Sequence, residues 1–433
     1  SLSCPHPIPP THRHRLKIGI SSGIILATAL LLVRQLGLLA PLELKAYDQF
    51  LRHRPAETVD SRLLIITNTQ SDIKARPNAT GNSSLSDETL LALLDRLTPL
   101  EPQLIGLDIY RAQPAQTPAL AQRLKDTDNL IAICKVTDNT TDAVDAAPPP
   151  EITDPSRIGA SDFVSDADGG DVLRRHLMQL EPPPNSPCRA FNTFSTVLAY
   201  RYLRERNHSD NIELPKITHT STSFGGYHHL DVQGYQLLLN YRILRDPEQT
   251  NCGNIKETPA DCMTVSEVLA QDPAQLRDSV AGRIVLIGTT DLEYGAADRW
   301  ITPYTVVPSI DGQTPGVFLQ AQMVSQLLSA AINDRPLLTS WSEWREIGWV
   351  VSWTVLGGLI GAYSFRAGSG AGRWQLWLRL LLAEGILLLA CWLWLARAAI
   401  WVPWVPSALA LPAASLTAYT GLAISDRHQK AGD

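Results

Sequence analysis

The stretch DSRLLIITNTQ, residues 60–70, decides the fold, because its apolar run is short, uninterrupted and bounded by polar residues. Such a run is typical of a strand that is buried on both faces. Similar runs predict strands over residues 63–67, 103–109, 129–136, 235–241 and 283–288. Amphipathic patterns predict helices over residues 86–97, 118–125, 191–206, 265–271 and 316–332. This alternation predicts an α/β domain with a mostly parallel sheet covered on both faces.

The 433 residues fall into two regions of different amino-acid composition. Ten of the 11 tryptophans follow residue 340. Residues 44–342 carry 26 basic and 37 acidic side chains, whereas the rest of the chain carries 11 basic and 6 acidic ones. This division excludes a purely soluble enzyme and a disordered chain. The long acidic middle contains no apolar span, which excludes a polytopic transporter.

Four nearly uncharged runs have about the 20 residues that a helix needs to cross a bilayer. They predict transmembrane helices over residues 18–40, 347–365, 380–396 and 398–425, the last two joined as a tight hairpin. The predicted fold class is therefore an α/β extracytoplasmic domain with a mostly parallel sheet, plus an α-helical transmembrane bundle of four helices.

Basic residues indicate the orientation, since they are in excess in cytoplasmic flanks. They precede the first run, separate the second from the third and follow the fourth, at positions 13, 15, 17, 366, 373, 427 and 430. Alternating helices place all three groups on one side. This predicts a cytoplasmic linker over 1–17, an extracytoplasmic domain over 41–346 and a cytoplasmic tail over 426–433. A cleaved signal peptide is the alternative for the first run, although its cleavage pattern is poor.

The predicted bundle contains an ionisable residue and a group of small residues that need an explanation. Glu384 is an ionisable side chain inside the third run. The favoured interpretation is either a pairing with Arg379 or a neutral, protonated Glu384, with a functional role as the alternative. Small residues in the second run would let a neighbouring helix approach closely, at Gly357, Gly358 and Gly361.

Four cysteines lie in the segment that is predicted to be outside, where disulfides persist. Cys252 and Cys262 close a short loop, and Cys134 with Cys188 remains by elimination. Zinc ligation is the alternative, but neither a CxxC spacing nor a nearby histidine pair supports it.

Polar residues follow several predicted strands, where ligands bind in open parallel sheets. The expected ligand-binding residues are Asn68, Thr69, Gln70, Asp108, Tyr110, Arg111, Lys135, Thr289 and Thr290. The turn over 288–290 also offers backbone donors for an anion. Helix caps and turn partners are the alternative for all of them.

The run DADGGDVLRRHL, residues 166–177, adds Arg174 and Arg175 as candidates for an anionic ligand. An ion pair to the preceding aspartates is the favoured interpretation. A calcium loop is disfavoured, because Asp171 and Leu177 stand where an EF-hand needs glycine and glutamate. We expect no metal, no cofactor and no catalytic residues, since no GxSxG, HExxH, kinase or phosphate-loop pattern occurs.

An ordered set of motifs resembles the CHASE type 2 family of extracellular sensory domains, which accompany cyclases and histidine kinases. The set comprises LELKAYDQFLRHRP from 42, DSRLLIIT from 60, PQLIGLDIY from 102, the 166–177 run, LLLNYR from 237, GRIVLIGTT from 282, TPY from 302 and PGVFLQAQMVSQLL from 315. The resemblance covers about residues 40–425. It is nearest to cyanobacterial proteins that place a caspase-like CHAT domain ahead of this sensor, so we expect processing or a missing upstream part before Ser1. Thr69 stands where the wider family usually has an aspartate, and the pair Cys252 and Cys262 is a local addition.

The resemblance implies a membrane-anchored sensor, not an enzyme, that passes a signal through its helices to an upstream or separate output protein. The alternative is a constitutive scaffold that docks a partner complex and binds no small ligand. The expected partners are the lipid bilayer and a cytoplasmic output or membrane protein. A small anionic ligand and a homodimer are further candidates, and no nucleic acid is expected. The expected location is a bacterial plasma membrane, with the thylakoid membrane as the alternative.

Overall fold

The computed structural model describes residues 12–75, 85–136, 146–166, 170–207, 225–227, 234–253, 255–292, 298–307, 309–366 and 370–432. Most of the predicted linker, residues 1–11, lies outside this part of the chain. The structure divides into an α/β domain, Pro55–Thr220 with Val232–Leu337, and a membrane unit, Ser1–Arg54 with Ser221–Asp231 and Leu338–Asp433.

The α/β domain contains eleven named strands and seven helices among its described residues. The strands are β1 (Leu63–Asn68), β2 (Leu104–Asp108), β3 (Leu130–Cys134), β4 (Ile158–Ala160), β5 (Val164–Asp166), β6 (Val172–Gln179), β7 (Tyr235–Leu238), β8 (Asp261–Thr264), β9 (Ile284–Thr289), β10 (Arg299–Trp300) and β11 (Thr314–Pro315). The helices of this domain are α3 (Gln70–Lys74), α4 (Asp87–Leu97), α5 (Pro118–Asp126), α6 (Phe194–Asn207), α7 (Val265–Ala270), α8 (Pro273–Val280) and α9 (Gly316–Ile332). Two helices precede them in the chain and belong to the membrane unit, α1 (His12–Gln35) and α2 (Ala40–Arg52).

The main sheet has six parallel strands in the order β4-β3-β2-β9-β1-β8. Alternate residues of β1 face opposite layers, as the two-residue period of a strand requires. Leu63 and Ile65 join a core with α6 and α9, whereas Leu64 and Ile66 join a core with α4, α5, α7 and α8. Both faces are therefore covered, which confirms the predicted parallel α/β sheet.

A second sheet differs from the prediction. The region around 235–241 forms β7, which pairs antiparallel with β6 in a three-stranded sheet with β5 rather than extending the parallel one. The strand β6 was not predicted, because its two arginines break the apolar pattern. Both arginines are nevertheless buried in the structure, and each forms an ion pair with Asp166 on β5.

Among its described residues, the membrane unit holds four helices long and apolar enough to cross a membrane. They are α1, α10 (Glu343–Ser364), α11 (Gly370–Ala398) and α12 (Val405–Gly432), and a short sheet joins β12 (Thr339–Ser340) to β13 (Ile400–Trp401). The first helix ends at Gln35 rather than at residue 40, and Gly37 with φ +75° makes the turn that precedes α2. The fourth begins at Val405 rather than at residue 398, because residues 400–401 pair as a strand.

The N-terminus of α12 is capped from α2. The carboxylate of Glu43 accepts hydrogen bonds from the backbone N–H groups of Trp404 at 3.0 Å and Val405 at 2.8 Å. This satisfies two donors that a helix start leaves without intrahelical partners. Trp401 is buried beside it, with its ring 4.4 Å from that of Tyr47.

Of the two interpretations favoured for Glu384, the pairing with Arg379 is wrong. Arg379 donates to the hydroxyl of Ser364 at 3.2 Å, and the salt bridges among the described residues do not include Glu384. The two residues are five positions apart on α11, so they point about 140° apart around the helix axis.

Glycines on α10 confirm the predicted close approach of neighbouring helices. A Cβ atom at Gly357 or Gly361 would overlap the backbone of α12, at Leu411 and Ser415 respectively. A Cβ atom at Gly358 would overlap the backbone of α1. The helices α1, α10 and α12 therefore pack through backbone contacts that larger side chains would prevent.

Replacement of Gly361 by alanine is expected to destabilise this bundle by about 1–3 kcal/mol, the usual cost of overpacking. The reason is that the methyl group overlaps the carbonyl of Ser415, which is backbone and cannot turn away. The measurement is thermal unfolding in detergent. Gly385→Ala on α11 is the matched control, because its Cβ meets no atom within 4 Å and the change should be nearly neutral. Equal losses in both variants would contradict the packing described.

Candidate functional site

The carboxyl ends of β1, β9 and β2 bring three predicted residues to one edge of the parallel sheet. Asp108 on β2 is in register with Gly288 on β9, and Asn68 on β1 is in register with Thr289. The structure thus places Asn68, Asp108 and Thr289 at the position where open parallel sheets bind ligands.

A fourth residue, Asp298, approaches this edge from the loop that follows β9. Its carboxylate accepts a hydrogen bond from the indole N–H of Trp300 at 3.0 Å and one from the backbone N–H of Gly316. Gly316 is the first residue of α9, and any Cβ atom there would overlap the carboxylate. The glycine therefore lets Asp298 lie directly on the start of the helix, where a negative charge is favourable.

Asp108 and Asp298 are close enough to affect one another's protonation. Burial, and then the charge of Asp298, raise the pKa of Asp108 well above its usual range. Burial also raises the pKa of Asp298 to about 6, against the lowering effects of the Trp300 hydrogen bond and the charges of Lys135 and Arg299. At neutral pH the pair holds a proton more readily than isolated carboxylates do.

The rim of the site is formed by residues that follow β2, β3 and β4. The Tyr110 hydroxyl lies 2.7 Å from the Ser161 hydroxyl, which also donates to the backbone carbonyl of Cys134 at 3.2 Å. Asp162 accepts from the backbone N–H of Val136 at 3.0 Å. Burial, and the charges of the surrounding carboxylates, raise the pKa of Tyr110. The hydroxyl of Tyr110 is thus a neutral donor beside an acidic cluster.

The predicted anion donors of the 288–290 turn are already used. The backbone N–H of Thr290 donates to the carbonyl of Asn68 at 3.1 Å, and the Thr289 hydroxyl donates to the same carbonyl at 3.2 Å. Arg299 donates to the carbonyl of Thr290 at 2.7 Å. The turn is held by neighbouring main chain, so the edge presents carboxylates rather than an anion cradle.

Three other predicted residues have structural roles. Thr69 is the N-cap of α3 and forms a capping box with Asp72, and Gln70 is the first residue of that short helix. Arg111 is buried, donates to the carbonyl of Leu85 at 3.0 Å and forms an ion pair with Asp87 at the start of α4. These residues match the cap and turn-partner alternative.

Arg174 and Arg175 form ion pairs with one carboxylate. Each lies 2.8 Å from an oxygen of Asp166, and all three side chains are buried. The favoured interpretation of an ion pair to the preceding aspartates is confirmed. The two arginines lie on β6 of the second sheet, not at the carboxyl edge of the main one.

Both predicted disulfides are present. The Cα atoms are 5.4 Å apart in the pair Cys134–Cys188 and 5.0 Å apart in the pair Cys252–Cys262. The first pair holds the end of β3, next to Lys135, to the segment before α6. Within the described ranges, no group of three or more His, Cys, Asp or Glu side chains could hold a metal ion.

Residues 298–300 and 161–162 were missed as site residues, because they lie outside the longer predicted strands. A signal was present for the first group. The sequence DRWITPY over 298–304 places an acidic residue just ahead of the TPY motif and of the glycine that begins α9.

The fold defines a membrane protein that carries an α/β domain between its first and second apolar helices. The model of the CHASE2 domain family matches residues 25–359, most of the chain, and the protein belongs to that family. This confirms the resemblance; the cyanobacterial affinity stays a prediction. CHASE2 domains are extracellular sensory domains. No curated protein and no solved structure matches the chain.

Proposed function

We propose that this protein is a non-catalytic membrane sensor whose α/β domain recognises a small ligand at the carboxyl edge of β1, β9 and β2. One observation carries the proposal. Two carboxylates of raised pKa, Asp108 and Asp298, lie together at the carboxyl edge of the parallel sheet in a sensory domain. Structural carboxylates are usually paired with a cation, whereas no salt bridge among the described residues includes either one.

The acidic edge favours a ligand with a cationic amine over the small anion that the sequence suggested. An ammonium group beside Asp108 would stabilise its charged form and so lower its pKa. The Lys135 ammonium at the rim would bind an acceptor group on the same molecule. A small amine with a second, oxygen-bearing group therefore fits the site best.

We further propose that the α/β domain is extracytoplasmic and that both termini are cytoplasmic. Basic residues at the start of α1 and at the end of α12 support this orientation. They are Arg13, Arg15 and Lys17 in the first helix and Arg427 and Lys430 in the last one. Two disulfides in the domain agree with an oxidising compartment.

The route for the signal is the contact between α1 and α10. Arg34 near the end of α1 forms a buried ion pair with Glu346 in the first turn of α10, and it donates to the carbonyl of Gly225 at 2.9 Å. In the chain, α1 precedes the α/β domain and α10 follows it. A ligand that favours one of two arrangements of the domain would thereby shift the positions of α1 and α10.

The test is a thermal-shift screen of the full chain in nanodiscs with small amines and with carboxylates of matched size. At least one amine is expected to raise the melting temperature of the wild type but not of Asp108→Asn, which keeps the shape and removes the charge. Asp154→Asn is the matched control and should respond like the wild type, because Asp154 is the exposed N-cap of a short helical turn at residues 155–157 and is not one of the site residues. If no amine stabilises the wild type while a membrane protein co-purifies stoichiometrically, the scaffold alternative holds instead.

The raised pKa of Asp298 leads to a pH dependence of stability. Its folded-state pKa of about 6 exceeds the ordinary value of 3.8, so its favourable contribution is complete below about pH 4 and is lost as pH rises through about 6. Asp298→Asn stays neutral at all pH values. The melting temperature of the wild type minus that of Asp298→Asn is therefore expected to fall between pH 4 and pH 7.

The matched control for this pH series is Asp154→Asn, because the Ser156 hydrogen bonds lower the pKa of Asp154. The stability that Asp154 contributes is present above its ordinary pKa of 3.8 and is lost only at lower pH. The melting temperature of the wild type minus that of Asp154→Asn should therefore stay nearly constant between pH 4 and pH 7. If the difference in melting temperature between the wild type and Asp298→Asn did not change with pH, the Asp298 carboxylate would titrate at its ordinary pKa and the prediction would be wrong.

A further inference from the structure

A groove of about 480 Å³ lies between α2 and the start of α12 in the membrane unit. One face of α2 lines it, since Leu42, Lys45, Gln49 and Arg52 recur at helical spacing. The opposite face of α2 is buried, with Tyr47 against the ring of Trp401. The groove therefore belongs to the face of α2 that internal packing leaves uncovered.

The position of the groove along α12 indicates a level in the bilayer. Val405, Ala408 and Leu409 line it, and they occupy the first turns of a helix long and apolar enough to cross a membrane. Trp404 lines it immediately before that helix begins, as amphipathic rings do at the headgroup level. The groove thus lies where the hydrocarbon of the bilayer meets the headgroups.

Apolar and basic side chains line the groove, and they match the acyl chains and the headgroup of a lipid. Leu42 and Leu409 are 51% and 46% exposed, which suits contact with acyl chains. Lys45 and Arg52 are exposed on the same side of α2, about 10 Å apart along the helix axis, and both side chains are long enough to approach one phosphate between them. Asp48 also lines the groove and is buried, so two cations stand against one carboxylate and the lining is net positive.

We propose that this groove binds an anionic phospholipid, with its phosphate between Lys45 and Arg52 and its acyl chains along Leu42 and Leu409. Basic residues at the membrane surface attract anionic headgroups, and an adjoining apolar groove adds selectivity for a lipid over a free phosphate. The bound lipid would hold α2 against α12 at the point where Glu43 caps the latter helix. This site is separate from the carboxyl edge of the sheet and does not depend on the function proposed there.

The test measures retention of phosphatidylglycerol by native mass spectrometry of the full chain released from nanodiscs of phosphatidylcholine with added phosphatidylglycerol. The wild type is expected to retain phosphatidylglycerol in preference to phosphatidylcholine. The variant with Lys45→Gln and Arg52→Gln should lose about thirtyfold in affinity, roughly fivefold for each cation. Soluble glycerophosphate should not compete, because it lacks the acyl chains.

The matched control removes two exposed cations elsewhere in the membrane unit, Arg345→Gln with Arg373→Gln, and should retain the lipid as the wild type does. A second variant, Leu409→Gln, keeps both cations and is expected to weaken retention by removing the apolar wall. Melting temperatures in phosphatidylcholine alone show that each variant folds. Equal retention by the wild type and the Lys45 and Arg52 variant would overturn the proposal, as would displacement by glycerophosphate, which would indicate a phosphate site instead.

Discussion

Arg34→Met is expected to destabilise the membrane unit by about 3–5 kcal/mol, because it leaves the carboxylate of Glu346 buried without its cation. Arg34 and Glu346 are 4% and 2% exposed, so water cannot replace the lost partner. The variant also loses the hydrogen bond to the carbonyl of Gly225. This contact joins α1, α10 and residues 225–227, so its loss should affect all three at once.

The measurement is thermal or chemical unfolding of the full chain in nanodiscs, with Arg34→Met and Glu346→Leu combined as the control. Replacing both partners of a buried pair by apolar side chains is often neutral, so the double variant should recover most of the lost stability. A double variant as unstable as Arg34→Met alone would mean that the ion pair is not the source of the loss. Gln35→Ala, which removes only an exposed bond to Glu343, should change little.

Removal of the Cys134–Cys188 disulfide by Cys188→Ser, with Cys134→Ser to avoid a free thiol, is expected to cost about 4 kcal/mol of domain stability. The cost comes from the 54-residue separation that the disulfide closes, since a longer loop gains more entropy when it opens. The same replacement at Cys252 and Cys262 should cost about 3 kcal/mol, because that loop spans only 10 residues.

Denaturant unfolding of both double variants under identical conditions measures the difference between them. Each double variant places its two serine-for-cysteine changes in buried positions, so side-chain effects are similar. A larger loss for the 252–262 pair would contradict the loop-length argument. The 134–188 variant should also weaken any ligand response at the sheet edge, because Cys134 ends β3 immediately before Lys135.

The parallel sheet could be predicted because its strands are encoded locally. The runs at 63–67 and 283–288 are apolar throughout, as a strand covered on both faces requires, and both appear within one residue of their predicted ends. The helix over 316–332 was also predicted at both ends, since Pro315 precedes it and its apolar face is continuous. By contrast, β6 could not be predicted, because Arg174 and Arg175 are stable there only when Asp166 folds beside them.

The candidate site was predictable only in part, for the same reason. Asn68, Asp108 and Thr289 follow strands, so the geometry of a parallel sheet brings them to one edge. Asp298 belongs to a loop, and its position depends on the missing side chain of Gly316, a tertiary contact that no local pattern encodes. The expected anion ligand assumed that the backbone donor of Thr290 was open, which the bond to Asn68 excludes.

The most direct test of the sensor proposal is a distance measurement between α1 and α10 by electron spin resonance. Spin labels at exposed positions, through Ile24→Cys and Leu356→Cys with the native Cys4 and Cys391 replaced by serine, report the separation of the two helices in nanodiscs. An amine that stabilises the wild type but not Asp108→Asn is predicted to change the distance distribution in the wild type and to leave it unchanged in Asp108→Asn. An unchanged distribution in the wild type at a saturating amine concentration would contradict transmission through these helices.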